Sequence, residues 1–177
     1  MKMTLPRFDS VEVEIDPNTL IEFPNGLPGF ESCKQFKIFH SGDDPLIFWL
    51  QSIEDADVVF SVTDPDSLQI FYKMALTAEE QSTLQIDADD EIQIAVILSR
   101  QSESNITVRN PIQANVTTPI IINVSKRIAL QKLHNSGFSI HPYQPLPEVS
   151  QAEAPTVPDF VGVPRMGSVA RAELCAA

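Results

Sequence analysis

Basic residues, cysteines and glycines are all scarce in this chain of 177 residues. Twelve Lys and Arg stand against 24 Asp and Glu, so the formal net charge is −12. A surface of that charge repels phosphate backbones and anionic lipids, which argues against direct binding to nucleic acid or to a membrane surface. It favours fast encounter with a basic protein partner, although acidity can also serve solubility alone.

Metal sites and disulfide frameworks need close or repeated cysteines, which the chain does not have. Cys33 and Cys175 lie at opposite ends of the sequence, in neither a zinc motif nor a disulfide framework. None of the three histidines, His40, His134 and His141, pairs with another ligand at a metal-binding spacing. We therefore predict reduced thiols, a cytoplasmic location, no metal and no cofactor.

Long apolar runs and catalytic motifs are also missing. The longest apolar runs, 46–50 and 94–98, are far shorter than the ~20 residues of a membrane helix, and the first residues lack a signal-peptide core. The six glycines form no phosphate-binding loop, and no G-x-S-x-G motif occurs. These absences predict no membrane segment and no enzyme. Two alternatives stay open: an enzyme with carboxylates in a barrel mouth, and a small-ligand or carbohydrate-binding β module around Trp49, a residue that more often belongs to a core.

Short alternating or apolar runs between turn residues predict strands along most of the chain. The predicted strands are 11–15, 20–23, 36–39, 46–53, 58–62, 92–98, 106–108, 114–116, 119–124, 127–133 and 138–140. A capping box, Thr77-Ala78-Glu79-Glu80, predicts one helix that continues through Leu84 and stops before Asp87. This spacing is typical of a barrel or sandwich. We predict an all-β domain over residues 1–143, mainly β with one or two short helices, as a small β-barrel-like domain of antiparallel strands.

The composition changes after His141. Prolines recur there among Ala, Val, Ser and Glu, and they remove backbone donors and block helices. We predict a Pro/Ala-rich flexible tail over residues 144–177. Its end, 169–174, is expected to fray or to form a short helix on a partner.

The most specific segment is Ile-Glu-Phe-Pro-Asn-Gly-Leu-Pro-Gly-Phe-Glu at residues 21–31, called the signature loop below. Two prolines and two glycines in six residues favour a compact turn, and Phe23, Leu27 and Phe30 give it apolar anchors. A well-packed loop with no further role would show the same local pattern.

This string resembles the I-x-F-P-x-G-L-P-G-F-E signature of the flagellar assembly factor FliW family. Phe-Trp-Leu-Gln-Ser at 48–52, Val-Thr-Asp-Pro at 62–65, Asn-Val-Thr-Thr-Pro-Ile-Ile-Ile-Asn at 115–123 and Ala-Leu-Gln at 129–131 resemble further family segments in the same order. The resemblance covers residues 8–141. The chain departs from the family in its tail, in Thr118 where Ala is common, and in Arg127 and Ile128 where Gly-Lys is usual.

The resemblance implies a function that composition does not show. Family members are non-enzymatic proteins with a small β-barrel-like fold, and they bind two partners alternately: flagellin and the translational repressor CsrA. Released from flagellin, such a protein captures the repressor and lets flagellin mRNA be translated. We expect a chain that is a monomer on its own. The residues that we expect to contact partners are Phe23, Pro24, Gly26, Leu27, Pro28, Gly29, Phe30, Asp43, Asp44, Asp55, Asp57, Asn115, Pro119 and Asn123.

Acidity suggests how the repressor could be antagonised. Residues 1–147 carry 10 Lys and Arg against 20 Asp and Glu. Bound beside the repressor's basic RNA groove, such a protein would place like charge near the incoming RNA, within a Debye length of about 8 Å. RNA binding could then be opposed without occupation of the base-reading site.

Overall fold

A computed structural model of the protein describes residues 1–40, 46–100, 112–133, 138–142 and 173–176. In these ranges the chain forms strands, one α-helix and two short 3-10 turns. The strands are β1 (Lys2–Leu5), β2 (Val11–Glu14), β3 (Ile21–Glu22), β4 (Gln35–Phe39), β5 (Phe48–Ser52), β6 (Val59–Thr63), β7 (Ile70–Leu76), β8 (Ile92–Arg100), β9 (Ile112–Asn123), β10 (Ile128–Gln131), β11 (Phe138–Pro142) and β12 (Glu173–Ala176). The helix α1 spans Ala78–Leu84, and the 3-10 turns span Pro17–Thr19 and Pro65–Leu68.

Seven strands close into a barrel in the order β10-β3-β4-β5-β6-β8-β9. The predicted mainly-β barrel fold is therefore confirmed. Most neighbouring strands are antiparallel, as expected, but β3 and β10 pair in parallel, with Glu22 opposite Ile128. That parallel pair closes the barrel between two distant parts of the chain.

Strands β8, β9 and β10 carry apolar side chains on both faces, because successive residues of a strand point to opposite sides. Ala95, Ile120, Ile122 and Ala129 face the barrel interior, together with two aromatic residues, Phe36 of β4 and Phe48 of β5. Their neighbours Ile94, Val96, Ile121, Ile128 and Leu130 belong to a second core outside the barrel. The contiguous apolar runs of the sequence thus mark strands that are buried on both sides.

The second core is covered by β7 and α1. Tyr72, Met74 and Leu76 alternate along β7 and are buried there, with Leu84 of the helix. The Tyr72 hydroxyl donates to the Val116 carbonyl at 2.9 Å, and burial raises the pKa of this tyrosine. β7 itself pairs with β11 on one side and β12 on the other.

A third, smaller core lies under the N-terminal hairpin of β1 and β2. Met3, Leu5 and Ile15 pack there against residues that include Phe8 and Phe39. Trp49 was expected in the core, but it is only partly buried and lies outside the barrel, with its ring 5.1 Å from that of Phe8. Because Phe8 packs edge-on against the indole, no open aromatic platform forms. In the same hairpin Val11, the first apolar residue of the alternating run 11–15, is exposed.

The structure differs from the predicted elements at β1, which was not predicted, and at β7, β9 and β12. Strand β7 was not predicted, although Tyr72, Met74 and Leu76 are buried at alternate positions along it. The segments 114–116 and 119–124 form one strand, β9, whose pairing with β8 shifts register between Ala95, opposite Ile120, and Ile97, opposite Asn115. The strand predicted at 106–108 lies outside the described residues. At the chain end, residues 173–176 form strand β12 rather than the helix or frayed end expected there.

The predicted capping box at the start of α1 is formed by two reciprocal hydrogen bonds. Thr77 accepts from the Glu80 amide at 3.2 Å, while Glu80 accepts from the Thr77 amide at 2.8 Å, so the capping box is confirmed.

Arg127 has a φ of 56°, in the left-handed region where glycine carries no steric cost. This conformation accounts for the glycine that is usual at this position in the resembling family.

Asp64 predicts a pH dependence of stability. It caps the second 3-10 turn by accepting from the Asp66 amide at 2.8 Å, and it is buried. Burial, aided by the charge of Asp66, raises its pKa from 3.8 to about 6, although the amide bond acts the other way. The folded state then binds more protons than the unfolded state between pH ~4 and ~6, so stability falls as the pH rises through that window.

Asp64→Asn keeps the acceptor and removes the ionisation. We expect the variant to match the unsubstituted protein near pH 4 and to exceed it by up to about 3 kcal/mol at pH 7. Urea unfolding at pH 4, 5, 6 and 7 measures this difference. Asp16→Asn is the matched control at the exposed cap of the first 3-10 turn, where Asp16 accepts from the Asn18 amide in the same way. A stability difference that does not change with pH would contradict the prediction.

Candidate functional site

The signature loop joins β3 to β4 through two consecutive tight turns. The Gly26 amide donates to the Phe23 carbonyl at 2.9 Å, and the Phe30 amide donates to the Leu27 carbonyl at 2.7 Å. Proline follows the first residue of each turn, where its fixed φ is suited to turn formation. The Cys33 amide then donates to the Phe30 carbonyl at 3.0 Å, which leads the chain into β4.

Both glycines of the loop have positive φ, 71° for Gly26 and 83° for Gly29. A Cβ atom on Gly26 would lie 2.7 Å from the Glu31 Cα, whereas one on Gly29 would meet nothing within 4 Å. Glu31 closes the loop by accepting from the Gly29 amide at 2.8 Å, and this bond is the main cause that lowers the pKa of Glu31. The sequence therefore fixes this loop through backbone geometry as well as through apolar anchors.

The apolar anchors of the loop divide into buried and exposed ones. Phe23 and Leu27 are buried in the barrel core, where the Phe23 ring lies 4.9 Å from that of Phe36. Phe30 packs against Phe60 at 5.1 Å but keeps 38% of its surface exposed. The loop is thus held from inside and presents Pro24, Pro28, Gly29 and Phe30 to solvent.

Helix α1 is tied to the end of β10 by a buried ion pair. The Lys132 ammonium lies 2.8 Å from a Glu80 carboxylate oxygen, with side-chain exposures of 3% and 16%. Glu80 also accepts from the Thr77 amide, so one carboxylate both caps the helix and binds the barrel. The Lys132 amide donates to the Pro119 carbonyl at 2.9 Å, which fixes the lysine backbone on β9.

A groove of about 350 Å³ lies between the signature loop and α1. Its floor comes from the end of β10, including Leu130 and Leu133. Its walls carry the carboxylates of Glu31, Glu79 and Glu80. Leu133 is 54% exposed, so the groove offers an apolar contact beside acidic walls.

A second acidic feature is the loop between β5 and β6. The buried Gln51 amide donates to the carbonyls of Ala56 and Val58, both at 3.1 Å, and so shapes this loop from inside. Asp55 accepts from the Asp57 amide at 2.9 Å, and both aspartates are exposed. The loop therefore displays two carboxylates on a backbone fixed by a glutamine.

The three candidates on β9 have different positions. Asn115 is exposed, and its side chain accepts from the Thr117 hydroxyl at 3.2 Å. Pro119 is buried at the irregular part of β9. Asn123 is fully buried, where it donates to the Leu84 carbonyl at 2.9 Å and to Asp90 at 2.8 Å. Through these two hydrogen bonds, Asn123 joins the end of α1 to the barrel.

The predicted contact residues thus fall into three groups. Those exposed to solvent are Pro24, Pro28, Gly29, Phe30, Asp55, Asp57 and Asn115. Those buried are Phe23, Gly26, Leu27, Pro119 and Asn123. Asp43 and Asp44 lie outside the described residues. The loop residues come together at the groove, and their role in binding stays a prediction.

Sequence reasoning missed the opposite wall and the floor of the groove. Glu79, Glu80 and Thr83 of α1 face the signature loop across it, although the two segments are some fifty residues apart. The capping box was visible in the sequence, but nothing indicated that Glu80 would pair with Lys132. Only the closed barrel brings these segments together.

Among the described residues, no three His, Cys, Asp or Glu side chains are grouped so that they could hold a metal ion. Asp64, with its raised pKa, caps a turn and does not line the groove. In the described part of the chain no helix is long and apolar enough to span a membrane.

Comparison with known proteins identifies the family. The family described as FliW protein matches residues 6–143 of the chain. The chain belongs to the FliW family. The resemblance seen in the signature loop and the four later segments is thereby confirmed.

Similar proteins and structures support this membership. The flagellar assembly factor FliW of Azoarcus sp. (strain BH72) is 45% identical over 136 residues, which cover 76% of this chain and 92% of that protein. The flagellar assembly factor FliW of Chromobacterium violaceum is 36% identical over 134 residues, 71% of this chain and 91% of that protein. A crystal structure of the flagellar assembly factor FliW matches with a TM-score of 0.61 at 25% identity, covering 82% of this chain and 98% of the other. FliW membership gives the chain a role in flagellar assembly.

Proposed function

We propose that this FliW-family protein is a non-enzymatic binding protein that holds flagellin and a CsrA-type translational repressor alternately. When flagellin is exported, the free protein captures the repressor and flagellin mRNA is translated. When flagellin accumulates, it occupies the protein and releases the repressor. The proposal includes a cytoplasmic location, a monomeric chain, no cofactor, and no direct contact with nucleic acid or membrane.

The groove between the signature loop and α1 is the observation that carries this proposal. It combines an apolar floor at Leu130 and Leu133 with acidic walls at Glu31 and Glu79. Such a surface fits a protein segment that carries both apolar and basic side chains. The groove is held in shape by Gly26 on one side and the Glu80–Lys132 pair on the other, so little ordering is needed on binding.

The excess of acidic residues in this chain supports the proposed antagonism of an RNA-binding repressor. Three lysines of the barrel domain, Lys2, Lys126 and Lys132, already pair with carboxylates at 2.8, 2.6 and 2.8 Å. In the β5–β6 loop, by contrast, Asp55 accepts from the Asp57 backbone amide at 2.9 Å, and both aspartates are exposed. A basic partner would meet these exposed carboxylates, and RNA would be repelled from the complex.

The electrostatic part is tested by charge reversal. Replacing Asp43, Asp44, Asp55 and Asp57 by Lys should slow association with the purified repressor about tenfold or more at low salt and flatten its salt dependence. The same positions changed to Asn keep the side-chain acceptors and should give an intermediate rate. Glu14→Lys/Glu22→Lys, on β2 and β3, controls for charge changes elsewhere on the surface. Stopped-flow association at several salt concentrations measures all four proteins, and an unchanged rate for the Lys variant would refute the electrostatic account.

The groove is tested by one exposed leucine. Leu133→Glu places a charge on the groove floor, and we expect it to weaken binding of at least one of the two partners about tenfold. Val11→Glu is the matched control, because Val11 is 52% exposed against 54% for Leu133 but lies on the N-terminal hairpin. Calorimetric titration with flagellin and the repressor, separately and together, measures the affinities. Full binding of both partners by Leu133→Glu would exclude the groove, and simultaneous binding of both partners would exclude alternation.

A further inference from the structure

Strand β7 is paired on both edges, but its two partner strands cover different parts of it. β7 is the middle strand of a three-stranded sheet outside the barrel, antiparallel to β11 and parallel to β12. β11 pairs with residues 70–74, and β12 pairs with residues 73–76. Among the described residues, Ala75 and Leu76 therefore have β12 as their only strand partner.

The end of β7 leads directly into the wall of the groove. Leu76 is followed by Thr77, the N-cap of α1, and the Gln81 side chain donates to the Leu76 carbonyl at 3.0 Å. Leu76 also shares the second core with Leu84 of α1 and with Leu130, which lines the groove. The position of α1 therefore depends on the position of the last residues of β7.

Helix α1 needs this support because it is short. It has seven residues, and a helix of that length is marginal in water without tertiary packing. The Glu80–Lys132 ion pair and the hydrogen bond from Asn123 to the Leu84 carbonyl attach it to the barrel. The end of β7 adds an attachment that does not come from the barrel strands.

The strand that pairs with the end of β7 comes from the last residues of the chain. β11 ends at Pro142 and β12 begins at Glu173, so thirty residues lie between them. These two strand ends lie on either side of β7, opposite Ile70 and Lys73, which places them roughly 15 Å apart by strand geometry. A connection of this length can span several times that distance. The family match ends at residue 143, so β12 lies beyond the part of the chain that is shared with the family.

We propose that β12 is a C-terminal strap that fixes the end of β7 and, through it, the α1 wall of the groove. When the strap is docked, the wall is held in place. When it is undocked, residues 75–76 lose their strand partner and α1 loosens. The strap pairs through four residues in parallel, so it is a small contact that can open without unfolding of the barrel. The strap thus sets the affinity of the groove for its partner, and this last part rests on the proposed function.

The position of the strap is tested first by a disulfide. The Cα of Cys175 is the register partner of the Cα of Ala75, so Ala75→Cys in the full chain places two cysteines opposite each other. Mild oxidation should give an intramolecular disulfide, detected by peptide mass mapping. Ala75→Cys/Cys175→Ser is the control, since the remaining Cys33 is buried. Cross-linking no greater than in the control, or cross-linking only between two chains, would overturn the proposal.

The effect of the strap on α1 is tested by breaking its pairing in the full chain. Neighbouring amides of a strand point to opposite sides, so Leu174→Pro/Cys175→Pro removes one donor on the side of β7. Ser168→Pro/Val169→Pro is the control, with the same two prolines placed before the strand. We expect amide hydrogen exchange at the end of β7 and in α1 to become about tenfold faster than in the control, with exchange in β8 and β9 unchanged. Equal exchange rates in the two variants would overturn the proposal, as would equal acceleration in β8 and β9.

Partner binding separates this inference from the proposed function. The oxidised Ala75→Cys variant is the locked form, and the Leu174→Pro/Cys175→Pro variant is the open form. We expect flagellin or the repressor to bind the locked form about three- to tenfold more tightly, because undocking lowers the binding-competent fraction. Equal affinities of both forms for each partner would overturn the link from strap to groove and leave the proposed function intact. Absence of binding by both partners to every form would refute the proposed function, and the exchange rates would still decide whether the strap fixes α1.

Discussion

Gly26→Ala is expected to lower the free energy of unfolding by about 3 kcal/mol and to distort the signature loop. The added Cβ would lie 2.7 Å from the Glu31 Cα and 2.9 Å from the Glu31 carbonyl oxygen. These are backbone atoms, so neither can turn away as a side chain could. Alanine would also have to hold a φ of 71°, which L residues rarely adopt. Urea unfolding of the purified variant measures the loss.

Gly29→Ala separates the two causes of that effect. Gly29 has a φ of 83°, but a Cβ there meets no atom within 4 Å. Only the conformational cost remains, and we expect a loss of about 1 kcal/mol. If the two variants lost equal free energies of unfolding, the close approach of a Cβ on residue 26 to Glu31 would contribute nothing to the loss. Gly26→Ala should also weaken partner binding more than Gly29→Ala does. Gly26 lines the groove, so its displacement moves the wall that the signature loop forms.

Lys132→Met is the second substitution with a large expected effect. It leaves the Glu80 carboxylate partly buried beside an apolar side chain, and breaking a buried pair from one side costs about 3–5 kcal/mol. Methionine has a similar length, so little of the loss comes from packing. We expect α1 to loosen as well, because Glu80 holds the helix to the barrel. Urea unfolding and amide hydrogen exchange in α1 measure the two effects.

The double variant Lys132→Met/Glu80→Gln tests whether charge is the cause. Glutamine keeps an oxygen that can accept from the Thr77 amide, so the capping box survives. With no buried charge left, we expect the double variant to regain at least about 1–2 kcal/mol relative to Lys132→Met. A double variant whose loss equals the sum of the two single losses would mean that the two side chains do not interact.

Local patterns predicted the barrel strands and the helix well, because their causes are local. The alternation of Phe36 and Ile38, the turn at Asp64 and the capping box at Thr77 each involve residues within a few positions of one another. Strand β7 escaped prediction because its burial depends on a second core, formed outside the barrel by β8, β9 and β10. Tyr72, Met74 and Leu76 do alternate along β7, but the surface that buries them is formed by strands distant in sequence.

The candidate site likewise has one part that local sequence predicted and another that it did not. The signature loop could be found from its prolines and glycines, and Gly26 has the positive φ that its sequence context indicates. The other wall could not be found, because Glu80 and Lys132 meet only through the closed barrel. Asn123 shows the reverse case: its place in a recognisable segment suggested a contact residue, while its hydrogen bonds place it inside the protein.

The parallel pair that closes the barrel has a consequence for synthesis of the chain. Glu22 pairs with Ile128, so more than a hundred residues must be made before β3 acquires its second neighbour. Contacts between such distant residues form late and slowly. The floor of the groove comes from β10 as well, at Leu130 and beyond. A nascent chain therefore has no groove until β10 has been made and has left the ribosome.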